Sequence, residues 1–154
     1  MKSLVVVISI HHNNTLKIAN VIAKVLDAPI KKPYHLKPEE IQEYEIVGFG
    51  SGIYGAKHHK SLLELADKLP RVSNKKAFLF STAALTNGKK VINDHSKLRE
   101  KLESKGYMIL DDFQSKGFNT NSFMKYLGGM NKGRPNTEDL KHAEEFAEKI
   151  KQRN

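Results

Sequence analysis

Ser9-Ile10-His11-His12-Asn13-Asn14-Thr15 gathers hydroxyl, imidazole and amide groups into one short polar segment. It follows Leu4–Ile8, an apolar and mostly β-branched run, and leads straight into a helix-type pattern. Such a run reads as a strand buried on both faces of a parallel sheet. The segment beyond its carboxyl end is where an open α/β sheet binds ligand. Convergent donors at a helix N-terminus, where N–H groups lack partners and the dipole is positive, suit a phosphate monoester and need no catalytic base. An ordinary N-capped turn uses the same residue types. The glycines and lysine of a Walker loop and the G-x-G-x-x-G pattern are missing, which argues against an NTPase or a Rossmann dehydrogenase.

Two further segments carry usable chemistry. Gly48-Phe49-Gly50-Ser51-Gly52-Ile53-Tyr54-Gly55 lets backbone approach a planar ligand closely, with Ser51, Gly52, Ile53, Tyr54 and Gly55 as the candidate contacts and the Tyr54 ring as a stacking surface. A tight turn with Tyr54 packed inward is the alternative. Thr82-Ala83-Ala84-Leu85-Thr86-Asn87 is small and polar and has no aromatic ring, so it offers backbone and short side chains. His11-His12 and His58-His59 would put four histidines on one rim if their loops are neighbours, which makes a Zn, Ni or Cu site conceivable. Neither pair has a carboxylate beside it in sequence. None of the three segments contains Asp or Glu, and no nucleophile–base pair stands out, so hydrolysis has no visible machinery.

Positioning these segments requires an alternation of strands and helices. Helical spacing of Ile18, Ala19, Ile22, Val25 and Leu26 predicts a helix over Asn14–Leu26, capped by Asn13 or Asn14. Tyr34–Leu36, between two prolines, is at best a short edge strand. Tyr44–Gly50 and Ala77–Ser81 read as strands, with a helix over Lys57–Leu69 between them. A helix over Asp94–Ser104, a strand at Tyr107–Asp111, an irregular stretch from Asp112 to Pro135 and a helix from Asn136 complete the chain. This alternation predicts a single α/β domain spanning 1–154, a doubly wound five-stranded parallel sheet of order 2-1-3-4-5 with helices on both faces. In that order the three candidate loops lie side by side on one rim.

The composition narrows the partners. With no cysteine, disulfides, thiolate catalysis and cysteine-ligated metal centres are excluded, which suits a reducing cytoplasm. No run approaches the roughly 20 apolar residues of a membrane span, and the amino-terminal apolar stretch lacks a signal-peptide cleavage pattern; a soluble, cytoplasmic protein is expected. Lys and Arg number 26 against 17 Asp and Glu, a net charge of +9, which favours acidic partners or anionic cofactors. The basic residues are dispersed and no RNA-binding aromatic motif is present, so no specific nucleic-acid partner is expected.

The succession S-x-H-H-x-N-T, G-F-G-S-G-I-Y-G and F-S-T-A resembles the flavodoxin family, and K-G-F-N-T…G-G-M-N-K-G-R-P-N-x-E-D-L resembles the tail of its small bacterial and archaeal members. Short-chain flavodoxins have an uninterrupted fifth strand, as Tyr107–Asp111 has here. The resemblance implies non-covalent FMN. It places the phosphate at Ser9–Thr15, the flavin ring between Ser51–Gly55 and Thr82–Asn87, and Phe118, Asn119 and Thr120 at the margin. The flavin would supply the redox chemistry, with no side chain as an essential catalyst. The chain departs from the family's T/S-x-T-G-N-T loop, since His12 and Asn13 replace Thr and Gly, and Asn13 then needs a backbone conformation that Asn tolerates. It also departs from the acidic charge of electron-carrier flavodoxins. The implied function is electron transfer with an acidic redox partner protein. The alternatives are an FMN-dependent reductase or dehydrogenase acting on a quinone or porphyrinogen, and a flavin-free module with a histidine metal site.

Overall fold

A computed structural model describes residues 2–10, 12–117 and 131–153. Five parallel strands, β1 (Ser3–Ile8), β2 (Ile30–Lys31), β3 (Ile46–Gly52), β4 (Lys75–Ala83) and β5 (Tyr107–Lys116), form one sheet in the order β2-β1-β3-β4-β5. Between them run α1 (Asn14–Leu26), α2 (Lys60–Lys68) and α3 (Gly88–Ser104), and α4 (Thr137–Gln152) closes the fold. The expected doubly wound order is the observed one.

Strand side chains alternate between two cores. Leu4, Val6, Val47, Phe49, Ala77 and Leu79 pack against Leu62, Leu65 and Ala66 of α2 and Leu98 and Leu102 of α3. Val5, Val7, Phe78 and Phe80 pack against α1 and α4 through Ile18, Ile22, Ala143, Phe146 and Ile150. Period-2 alternation assigns each face, and with helices on both sides the strands read as continuous apolar runs. Gly48 and Gly50 serve this packing. A Cβ on them would lie 2.2 Å from the Phe78 ring and 2.1 Å from the Phe80 ring. These two glycines are spacers for aromatic rings inside β3, whereas the sequence reading counted them in a glycine loop that lets backbone approach a planar ligand.

The remaining departures from expectation have local causes. Tyr34–Leu36 is not a strand: Pro33–His35 forms a 3₁₀ turn with Pro33 at its first position, and β2 lies earlier, at Ile30–Lys31. A proline preset at φ near −65° suits the start of a helical turn better than a sheet ladder. α3 begins at Gly88, not Asp94, because the Asn87 side chain accepts from Lys90 N at 2.9 Å and caps the helix there. β5 runs on to Lys116 through residues expected to be irregular. Its register slips by one residue opposite Ala77/Phe78, so that Leu110 is passed over. This bulge turns Leu110 and Phe113 to the α4 side and Asp112 and Gln114 to the α3 side. Among the described residues no helix is long and apolar enough to cross a membrane.

Candidate functional site

The carboxyl ends of β1, β3 and β4 finish level, since Ile8 pairs with Ser51 and Ser51 with Ser81. The loops that follow them therefore share one rim, as the strand order requires. In the first, His12 and Asn13 take left-handed conformations, φ 55° and 54°, just before α1. Asn13 precedes the helix without a side-chain cap. Ser9 reaches across instead, its Oγ accepting from Leu16 N at 3.2 Å. A left-handed turn leading into a helix N-terminus aims backbone N–H groups at one concave spot, the chemistry of an anion cradle. The tolerance required of Asn13 is met, because Asn and His visit this region more readily than most residues.

Asn14 and Thr15 are buried and tie the first loop to its neighbours. Thr15 Oγ1 lies 2.7 Å from Thr82 Oγ1, joining the first loop to the third. The Asn14 side chain packs on Gly117, where an added Cβ would stand 2.6 Å from Nδ2. Gly117 thus lets the end of β5 approach α1 closely. His11 and Phe118, Asn119 and Thr120 lie outside the described residues.

The second loop is a tight turn. Tyr54 N donates to Lys57 O at 2.8 Å across Gly55 and Ala56, both at positive φ (58° and 59°). Ile53 bridges to His58 below it. Ser51 is buried and braces the loop, donating to Gly52 O at 2.6 Å and accepting from His59 N at 2.9 Å. The Tyr54 ring folds over Gly52 and meets the His59 ring edge-on at 5.3 Å, and its partial burial raises the phenol pKa. In the third loop Ala83, Ala84 and Thr86 are half-buried, and Leu85 is 58% exposed. Asn131 Nδ2 donates to Ala84 O at 2.6 Å and anchors this loop to the approach to α4.

The histidines divide. His12 is exposed. His59 Nδ1 accepts from Ser61 N and caps α2. His58 is buried, its Nε2 3.1 Å from Phe80 O, and burial together with the neighbouring His95 lowers its pKa to about 3. The second pair is therefore built into the fold. Among the described residues no group of three or more His, Cys, Asp or Glu has metal-binding geometry.

Sequence reasoning missed a buried polar cluster beneath the third loop. Ser81 Oγ lies 2.7 Å from His95 Nε2, and His95 Nδ1 lies 3.1 Å from Asp112 Oδ2. Arg99 donates to the same carboxylate at 2.7 Å. Gln114 Nε2 donates to Ser81 Oγ at 3.1 Å and to Asp94 Oδ2 at 2.9 Å, and Lys90 pairs with Asp94. The His58 and His95 rings lie 4.7 Å apart, tilted by 43°. Burial would raise the Asp112 pKa, but the bonds from His95 and Arg99 prevail and hold it low. The Ser–His–Asp order is that of a hydrolase. Ser81 and His95 are nonetheless both 0% exposed, so no substrate reaches the hydroxyl. The cluster fixes the end of β4, from which the third loop springs. Its carboxylates come from α3 and β5, too far along the chain for any local motif to reveal.

A parallel 2-1-3-4-5 sheet with helices on both faces and three loops on its carboxyl rim is the flavodoxin fold. A family model described as a flavodoxin domain matches residues 5–117, and the chain belongs to that family. It is 48% identical over 150 residues to an uncharacterized protein of Methanocaldococcus jannaschii, covering 97% of this chain and 98% of that protein. Among solved structures, oxidised flavodoxin 2 from Bacillus cereus superposes with a TM-score of 0.75 at 17% identity, over the whole of both chains. An archaeal flavodoxin gives 0.66 at 19% identity, over 98% of this chain and 99% of that one. Fusobacterium nucleatum flavodoxin bound to flavin mononucleotide gives 0.68 at 15% identity, over 99% of each.

Proposed function

We propose that this protein binds FMN non-covalently and carries electrons to and from an acidic partner protein. The observation that carries the reading is the first loop: two left-handed residues, His12 and Asn13, open a helix whose N-terminus has no side-chain cap from Asn13. That arrangement fits a phosphate through backbone N–H groups. Ser9 through Thr15 would hold the phosphate. The Tyr54 turn and the small side chains of Thr82–Asn87 would flank a flat ring. When bound, the flavin supplies one- and two-electron chemistry. The chain's own residues bind it, orient it and set the charge around it.

Family membership and the FMN bound to the Fusobacterium nucleatum relative support this reading. The net charge of +9 supports an acidic partner. A second reading, a reductase acting on a quinone or porphyrinogen, draws on the third loop, which has no aromatic side chain to cover a ring face. The visible spectrum of the purified protein, before and after adding FMN and desalting, tests both. Flavin absorbance that survives desalting is expected; a protein that stays colourless would exclude carrier and reductase alike. Oxidation of NAD(P)H with a quinone present, in the absence of a protein partner, would select the reductase.

A further inference from the structure

The carboxyl rim of the sheet carries more positive charge than a phosphate site needs. Lys57 and Lys60 stand at the second loop, Lys89 at the start of α3, Lys116 at the end of β5 and Lys132 before α4. None of the five forms an ion pair among the described residues. The sequence has no Asp or Glu from 46 to 63, 68 to 93 or 113 to 137. Asp94 and Asp139, which border the rim, are buried and paired with Lys90 and Arg134. Glu138 is the exposed carboxylate there, 4.0 Å from His142.

The lysines are also placed against local preference. A helix N-terminus favours anions, yet α2 and α3 have no acidic residue in their first turns and carry Lys60 and Lys89-Lys90 there. α4 starts at the same rim and obeys the preference with Glu138 and Asp139. α1 also lacks an acidic residue in its first turn, so among the described helices the preference is met at α4 alone, and at α2 and α3 it is reversed by lysines that something other than the fold selects.

Exposed apolar side chains also stand at this end of the sheet. Ile10 is 51%, Leu85 58% and Ile92 69% exposed, three of the five large hydrophobic side chains that stand out in solvent among the described residues. Ile10 and Leu85 lie in the first and third loops, and Ile92 lies near the start of α3. An apolar patch within a charged surround is the anatomy of a protein–protein interface. Single-stranded nucleic acid calls instead for stacking aromatics along a basic groove.

We infer that this rim docks an acidic protein, with Ile10, Leu85 and Ile92 as apolar contacts and Lys57, Lys60, Lys89, Lys116 and Lys132 as the charged surround. The inference rests on the carrier reading only for what passes across the interface. The test is a chemical-shift titration of the ¹⁵N-labelled full chain, its flavin content read separately by absorbance. The probes are an acidic [2Fe–2S] ferredoxin, the basic protein cytochrome c and a single-stranded oligonucleotide.

Ferredoxin is expected to shift amides in residues 53–60 and 83–92, with a dissociation constant that rises about tenfold between low and high salt. Lys57→Glu/Lys89→Glu is expected to weaken it about tenfold or more, while Lys149→Glu/Lys151→Glu, at the far end of α4, leaves it unchanged. Ile92→Gln is expected to weaken ferredoxin and spare the oligonucleotide. The inference is overturned if ferredoxin shifts nothing at the rim, if cytochrome c occupies the same loops, if the oligonucleotide binds more tightly than ferredoxin, or if the far-end reversal is as damaging as the rim reversal. A colourless protein that still binds ferredoxin keeps the docking surface and loses the carrier reading. A flavin-bearing protein that ignores ferredoxin does the reverse.

Discussion

Asn13 and His58 show how single residues tie the site to backbone and pH. At φ 54° Asn13 occupies a region that β-branched side chains enter only under strain, of order 1–3 kcal/mol. Asn13→Ile should deform the phosphate turn and weaken FMN by roughly tenfold, because 1.4 kcal/mol is a factor of ten. Riboflavin, which lacks the phosphate, should be little affected, and Asn13→Gly should restore FMN binding. Fluorescence titration with the two flavins separates these outcomes, and equal weakening of both would remove the phosphate from this loop. His58 speaks to stability. Its pKa falls to about 3 on folding from the usual 6.5, so in that interval the unfolded chain binds the extra proton. Its contribution is therefore complete above pH 6.5 and is lost as pH falls towards 3, at up to about 1.4 kcal/mol per unit. Asp112, held below its usual pKa, adds to the loss only in more acid solution. Thermal unfolding between pH 7 and 4 should show a steep fall for the wild type and a flatter one for His58→Phe.

At the scale of elements, β3 depends on residues that lack side chains. The Phe78 and Phe80 rings occupy the space a Cβ would take at Gly48 and Gly50. Gly50→Ala should cost about 1–3 kcal/mol by overpacking, read as a lower denaturant midpoint at unchanged m-value. Pairing it with Phe80→Leu, which shortens the obstructing ring, should recover part of the loss. This packing also explains what was legible. Leu4–Ile8 and Ala77–Ser81 announced themselves because strands buried on both faces are uniformly apolar. The helix faces of α1 and α4 did so by their spacing. The cluster around His95 was hidden for the opposite reason. Asp112 and Gln114 reach it only because the bulge at Leu110 reverses the alternation of β5, and no period-2 reading crosses a bulge intact. Gly88 hid the start of α3 because glycine reads as a break, whereas the cap at Asn87 makes it the first helical residue.

At the scale of the whole molecule, and among the described residues, lysines stand at both ends of the sheet but exposed carboxylates, Glu138 apart, do not: Lys57, Lys60, Lys89, Lys116 and Lys132 have no ion-pair partner at the carboxyl rim, while Glu39, Glu40, Glu43, Glu45, Asp67 and Glu103 lie towards the other end among Lys2, Lys75, Lys101 and Lys105. The fold alone would favour acid at the starts of α2 and α3. Lys60 and Lys89 oppose those dipoles and add to a net charge of +9. Each reversal should therefore stabilise the chain, by roughly 0.3–1 kcal/mol at low ionic strength, since a cation at a helix N-terminus is replaced by an anion. Lys60→Glu/Lys89→Glu should raise the melting temperature measurably at low salt, and the gain should shrink in high salt as screening shortens the reach of the charges. The same variant should bind an acidic protein less well, so stability and docking move in opposite directions. Calorimetric melting of wild type and variant at two salt concentrations checks the first half. A variant no more stable than the wild type at low salt would mean that these lysines cost the fold nothing, and their placement would then carry no sign of selection for a partner.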